Sequence, residues 1–146
     1  MALKYRKAEP RDLGEIQDLL NSYQLPASDC KTHLDNFVIA EDGDVIVGVG
    51  GFERYGQYGL LRSFAVKNSS MRQGIAAEIF SLVSARAIDL GVHRFYLLTT
   101  TASGYFERLG FSVCERERVP SAIKGTKQFN EFCPKTAKVM IFRLST

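Results

Sequence analysis

Apolar and polar positions along the chain fall into short runs of strand type and longer stretches of helical spacing. Residues 3–8 alternate loosely and predict a first strand, ending at Glu9-Pro10. From Pro10 onward Leu13, Ile16, Leu19 and Leu20 share one helical face, and that helix should end near Tyr23, ahead of Pro26. Ser28 or Asp29 can cap a short second helix through Leu34. Residues 37–41 and 45–52 then predict two strands around Asp42-Gly43-Asp44, where Asp and Gly tolerate the positive φ of a hairpin turn. Gly48, Gly50 and Gly51 weaken the second of these strands unless something packs close to its backbone. Residues 53–56 end it, and a turn at Gln57 leads into a strand over 58–66, the third of an antiparallel series.

After the polar turn 67–70, Ile75, Ile79, Leu82, Val83 and Ile88 recur at helical spacing, with Gly91 as the stop. Arg94-Phe95-Tyr96-Leu97-Leu98-Thr99 is strongly strand-prone. Because it follows a helix, it should lie parallel to the strand before that helix, in a right-handed βαβ unit. A helix within 100–109, a glycine stop at Gly110 and a new strand from Phe111 come next, and a last strand covers 138–144.

Composition narrows the function classes. A chain of 146 residues, 45% apolar and 24% charged, fits one domain with a proper core. Net charge is +3 and the basic residues are scattered, so no nucleic-acid stripe is expected. No apolar stretch has the length of a membrane span and no signal-peptide core follows the first charges, so a cytoplasmic protein is expected. Cys30, Cys114 and Cys133 lack CxxC spacing, and His33 and His93 stand apart, so no metal site is expected.

The candidate chemistry lies where the strand over 60–66 turns into the following helix. Unpaired N–H groups and the positive helix end face that turn and make an anion site. Gly74 admits a phosphate to the backbone, with Arg72 adding charge beside it. The turn has neither the Gly-Lys-Ser/Thr ending of a P-loop nor the three glycines of a dinucleotide fold. Arg62 is a charged residue inside an apolar strand, where burial without a partner is costly. Either it pairs with an internal carboxylate such as Glu53, or its fork binds a substrate carboxylate; the second is preferred and implies an amino-acid-like acceptor.

Met71-Arg72-Gln73-Gly74-Ile75-Ala76 resembles the Gln/Arg-x-x-Gly-x-Gly/Ala signature of the GNAT acetyltransferase superfamily, with Met71 departing at the first position. Residues 100–111 resemble that superfamily's Ala-x-x-aromatic-Tyr-x-x-x-Gly-Phe segment. The resemblance implies an α/β (α+β) GNAT fold: one domain over 1–146, a mixed, twisted sheet of six to seven strands, a central splayed parallel pair, and helices on both faces. It implies acetyl-CoA as co-substrate and direct attack by a small-molecule amine in a ternary complex. Leu60-Leu61-Arg62-Ser63, residues 97–102 and Val119-Pro120-Ser121-Ala122-Ile123 are similar to the arsenic-resistance branch, itself related to N-acetylglutamate synthase. Cys133 alone does not predict metalloid binding.

By the same resemblance, Phe64, Ala65 and Val66 would pair with the pantetheine, and residues 71–76 (Met71, Arg72, Gln73, Gly74, Ile75, Ala76) would cradle its pyrophosphate. Thr100, Ala102 and Phe106 would also line the cofactor. With Arg62 turned to the substrate, Ser63, grouped with it as a substrate-binding candidate, would face the opposite side, toward the cofactor or core. Glu53 is the preferred base, its alternative being an ordinary surface carboxylate. The family's acid is a Tyr four residues before the glycine, where this chain has Phe106; Tyr105 is one position earlier, about 100° around the helix. Tyr105 acts as the acid or the thiolate leaves unassisted. Thr99 stands where many relatives carry Asn. Residues 25–33 would cover the acceptor pocket, and such a fold can form a homodimer through 138–144. The alternatives are a catalytically silent CoA-binding module, or acetylation of polyamines or protein lysines.

Overall fold

The structure, a computed structural model, describes residues 3–67, 74–132 and 136–144. Seven strands form one mixed sheet: β1 Leu3–Lys7, β2 Phe37–Asp42, β3 Val45–Tyr55, β4 Tyr58–Val66, β5 Arg94–Thr99, β6 Ser112–Cys114 and β7 Lys138–Arg143. Their order across the sheet is β1-β2-β3-β4-β5-β7-β6. Helices α1 Leu13–Ser22, α2 Cys30–His33, α3 Ile75–Asp89, α4 Ser103–Leu109 and α5 Ser121–Lys124 connect them. The chain divides into two compact units, Met1–Glu53 with Arg62–Arg86 and Arg54–Leu61 with Ala87–Thr146, so β4 contributes to both.

In the first unit the pleat sorts side chains to two faces. Phe37, Ile39, Ile46 and Val49 pack with Ile16, Leu19 and Leu20 of α1, Cys30 of α2 and Leu34 beyond it, in one buried cluster. On the other face α3 lies against bare backbone: a Cβ at Gly48 would meet Ile75 Cγ2 at 2.8 Å, and one at Gly50 would meet Phe64 and Ile79. The close packing expected at these glycines is therefore α3 itself, and on the α1 face the Phe37 ring covers Gly51, its register partner. A bulge between Ala40 and Glu41 shifts the β2–β3 register. The buried side of α3 is Ile75, Ile79, Phe80 and Val83, whereas Leu82 and Ile88, expected in the apolar stripe, are exposed. Their spacing from Ile75 matches a helix but turns them away from the sheet.

In the second unit β4 and β5 form the expected parallel pair, registered from Tyr58↔Arg94 to Leu60↔Tyr96. The rest of β4 lies beyond those registered pairs. Leu60, Tyr96, Val119, Ile123 and Val139 make the unit's buried cluster, so the segment between β6 and β7, which the sequence pattern left without elements, holds α5 and contributes core. β7 is hydrogen-bonded to β5 on one side and β6 on the other. On its far side β7 pairs with β6 only over residues 139–141.

Candidate functional site

Glu53 on β3 and Arg62 on β4 are both buried, at 2% and 5% exposure. A surface role for Glu53 is thereby excluded, since β3 continues past it to Tyr55 and α2 covers it. Every N–H of the Arg62 guanidinium finds an acceptor. Nη1 donates to Asp29 Oδ2 and to Glu53 Oε2, both at 2.7 Å. Nη2 donates to Asp29 Oδ1 at 2.6 Å and to the Pro26 carbonyl at 3.4 Å, and Nε donates to Ser63 Oγ at 2.9 Å. Of the two expectations for Arg62, internal pairing is what the structure shows.

Burial alone would lower the Arg62 pKa, but the hydrogen bonds to Asp29 and Glu53 and the charge of Asp29 outweigh it and raise it. Asp29 is the mirror case: burial pushes its carboxyl up, and Arg62 overrides that and holds it below the ordinary carboxylate range. Asp29 occupies the N-cap position of α2 without capping it, because its side chain is given to Arg62 instead.

Ser63 takes a left-handed backbone, φ +62°, which a side chain adopts only at a cost of about 1 kcal/mol. That interruption of the strand's alternation lets its hydroxyl return to the Arg62 side, contrary to the opposite face expected of it. Cys30 Sγ lies 3.9 Å from Arg62 Nη2, and burial pushes its thiol upward, so it stays protonated.

The fourth polar member is His33, whose Nε2 is 3.6 Å from Glu53 Oε1. Burial pushes its imidazole pKa down, with Arg62 adding to the effect and Glu53 and Asp29 opposing it. Ligand atoms of Asp29, His33 and Glu53 gather within 4.8 Å of one another. Arg62 already bonds both carboxylates and supplies the positive charge there, so the trio is not arranged for a metal ion. Asp29 and His33 escaped the sequence reading as functional groups. The signal was their i,i+4 spacing, which puts both on one side of a single helical turn.

The strand end beyond Ser63 leads to the expected anion turn. Phe64 packs its ring edge-on to Phe80 at 6.5 Å, and Ala65 and Val66 are buried. The Val66 carbonyl accepts from Tyr23 Oη at 2.8 Å, so that backbone group is already engaged. Met71, Arg72 and Gln73 lie outside the described residues, as does Cys133. Gly74 is exposed at φ +70°, with no atom of the described residues within 4 Å of where a Cβ would project, and its carbonyl accepts the first bond of α3 from Glu78. Ile75 is fully buried and Ala76 half-buried behind it. A left-handed glycine that no described residue crowds, at the start of a 15-residue helix, fits a phosphate.

The second unit carries the remaining expected residues. Thr99 Oγ1 accepts from the Ala102 N–H at 3.0 Å and fixes the turn into α4, while Thr100 is exposed. Tyr105 and Phe106 meet edge to face at 5.5 Å, and Phe106 packs in turn on Phe111 at 5.6 Å. Phe106 is thus tied into an aromatic stack, and the hydroxyl belongs to its neighbour. Burial raises the Tyr105 pKa, keeping that hydroxyl protonated.

Residues 21–127 match the family model described as an acetyltransferase (GNAT) domain. Among solved structures, N-acetylglutamate synthase from Neisseria gonorrhoeae, complexed with coenzyme A and N-acetyl-glutamate, is similar at TM-score 0.85 and 17% identity. All of this chain is covered but only 36% of that one, so the chain spans about a third of that relative. Rv2747 from Mycobacterium tuberculosis, in complex with CoA and NLQ, is similar at TM-score 0.81 and 22% identity, covering 97% of this chain and 99% of the other. An aminoglycoside 6'-N-acetyltransferase complexed with coenzyme A gives 0.73 and 16%, over 100% and 98%. At these identities the likenesses establish fold, and the family match over most of the chain establishes more: this chain belongs to the GNAT acetyltransferase domain family.

Proposed function

We propose that the chain is an acetyl-CoA-dependent N-acetyltransferase whose acceptor is a small amino-acid-like amine. The observation that carries the reading is Gly74, left-handed and uncrowded by the described residues at the N-terminus of α3, in a fold whose solved relatives include complexes with coenzyme A. Acetyl-CoA supplies the activated thioester. Residues 71–76 hold its pyrophosphate and the backbone at 64–66 pairs with its pantetheine. Glu53 serves deprotonation of the amine, Tyr105 protonates the departing sulfur, and Thr99 orients the turn beside it. By resemblance at 60–63, 97–102 and 119–123 we assign the chain to the arsenic-resistance branch.

Arg62 supports the acceptor class. Its fork holds the Asp29 carboxylate through two parallel bonds, which is the geometry an amino acid's carboxylate requires. In this proposal an acceptor reaches the buried Arg62 only by displacing Asp29, the more exposed member of the pair. A second reading has one observation in its favour: two carboxylates surround one guanidinium, an excess negative charge that suits a polyamine or lysine.

Two measurements test this. Acetyl-CoA at about a hundred times its dissociation constant should stabilise the parent by roughly 2.7 kcal/mol and leave Gly74→Glu unshifted. Equal shifts in both would remove the assigned phosphate site. In a thiol-release assay, the preferred amino acid should exceed its decarboxylated amine by about 10-fold or more in kcat/KM, the worth of a charge-assisted bond. Preference for the decarboxylated amine would select the polyamine or lysine reading, and no thiol release with any amine would leave a silent CoA-binding module.

A further inference from the structure

Glu53 divides its two oxygens. Oε2 accepts from Arg62, and Oε1 faces His33 Nε2. The carboxylate itself is 2% exposed, so an acceptor's ammonium reaches it poorly. His33 is different: its side chain is 20% exposed while its Nε2 lies 3.6 Å from the carboxylate. A carboxylate beside an imidazole orients the ring and stabilises the imidazolium that forms when it takes a proton. The charged groups facing the ring are Glu53 of β3, Arg62 of β4 and Asp29 at the start of α2. Burial and Arg62 keep the resting ring unprotonated at neutral pH, the state a base requires. His33 also lies within 4.8 Å of the Asp29 carboxylate, the group whose place an acceptor's carboxylate would take. The α-nitrogen of such an acceptor then falls beside the imidazole.

We infer that His33 is the base that deprotonates the acceptor's ammonium, with Glu53 as the positioning residue whose charge favours the imidazolium. The inference rests on the acetyltransferase reading above. The ammonium gives one proton to an imidazole nitrogen, and the freed lone pair attacks the thioester carbon. The C–N bond forms, the C–S bond breaks, the departing sulfur takes the Tyr105 proton, and the second nitrogen proton replaces it on that hydroxyl. The imidazolium returns its proton to water, to which the side chain is partly exposed.

The test is the pH dependence of kcat/KM for the parent, His33→Gln and Glu53→Gln, with the acetyl-CoA thermal shift measured on each. His33→Gln should keep the thermal shift, lose about 10²–10⁴-fold in kcat/KM and lose the acidic limb of the profile. Added imidazole should restore part of the activity of His33→Ala. Removing the negative charge of Glu53 should move the acidic limb to lower pH, because that charge favours the imidazolium. If His33→Gln keeps the parent's acidic limb and a rate within about threefold, the inference is overturned while the acetyltransferase reading stands. A parent that acetylates no amine overturns both.

Discussion

Arg62→Ala is expected to lower the free energy of unfolding by about 3–5 kcal/mol, because it leaves Glu53 and Asp29 charged without their partner. For a domain of this size that is a fall in Tm of about 10 °C, read by calorimetry. The loss belongs to stranded charge more than to a missing attraction, so Glu53→Gln/Arg62→Ala should be more stable than Arg62→Ala alone. A cost below about 1 kcal/mol would mean water replaces the guanidinium and the cluster is not buried as described. The pH dependence has a definite sign. Arg62 holds the Asp29 pKa below its unfolded value. Its contribution is therefore complete above the ordinary carboxylate pKa and is lost as pH falls through the depressed one. Arg62→Ala should flatten that part of the acid-unfolding curve.

Gly51→Val is expected to cost about 3 kcal/mol or more, at the upper end for overpacking a core. A Cβ at Gly51 overlaps the ring of Phe37, which is fully buried among α1 and β3 and has nowhere to go. Equilibrium urea unfolding of the single and double variants checks this. Phe37→Leu/Gly51→Val should lose less than the sum of the two single changes, since each makes room for the other. Strict additivity would show that the ring does not lie over this glycine.

The order of strands and helices was legible in the sequence because each carries its own period: alternation for strands, i,i+3/i+4 for helices, and Gly91 and Gly110 as stops. The parallel β4–β5 pair followed from chain order alone, since a helix between two strands leaves few ways back. Arg62 was legible as a problem, a charge in an apolar strand, but its solution was not. Asp29 comes 33 positions earlier, and only the packing of the α1–α2 connection over β3 and β4 brings its carboxylate to the fork. The turn of Ser63 toward Arg62 depends on a left-handed backbone that no strand period announces. The same holds for β7, whose sequence fits an edge as well as a centre until β6 pairs with it. Local periodicity fixes which residues share a face. Which faces meet, and so which charges are neutralised and which imidazole lies beside which carboxylate, depends on contacts between segments far apart in sequence, and only the tertiary structure decides them.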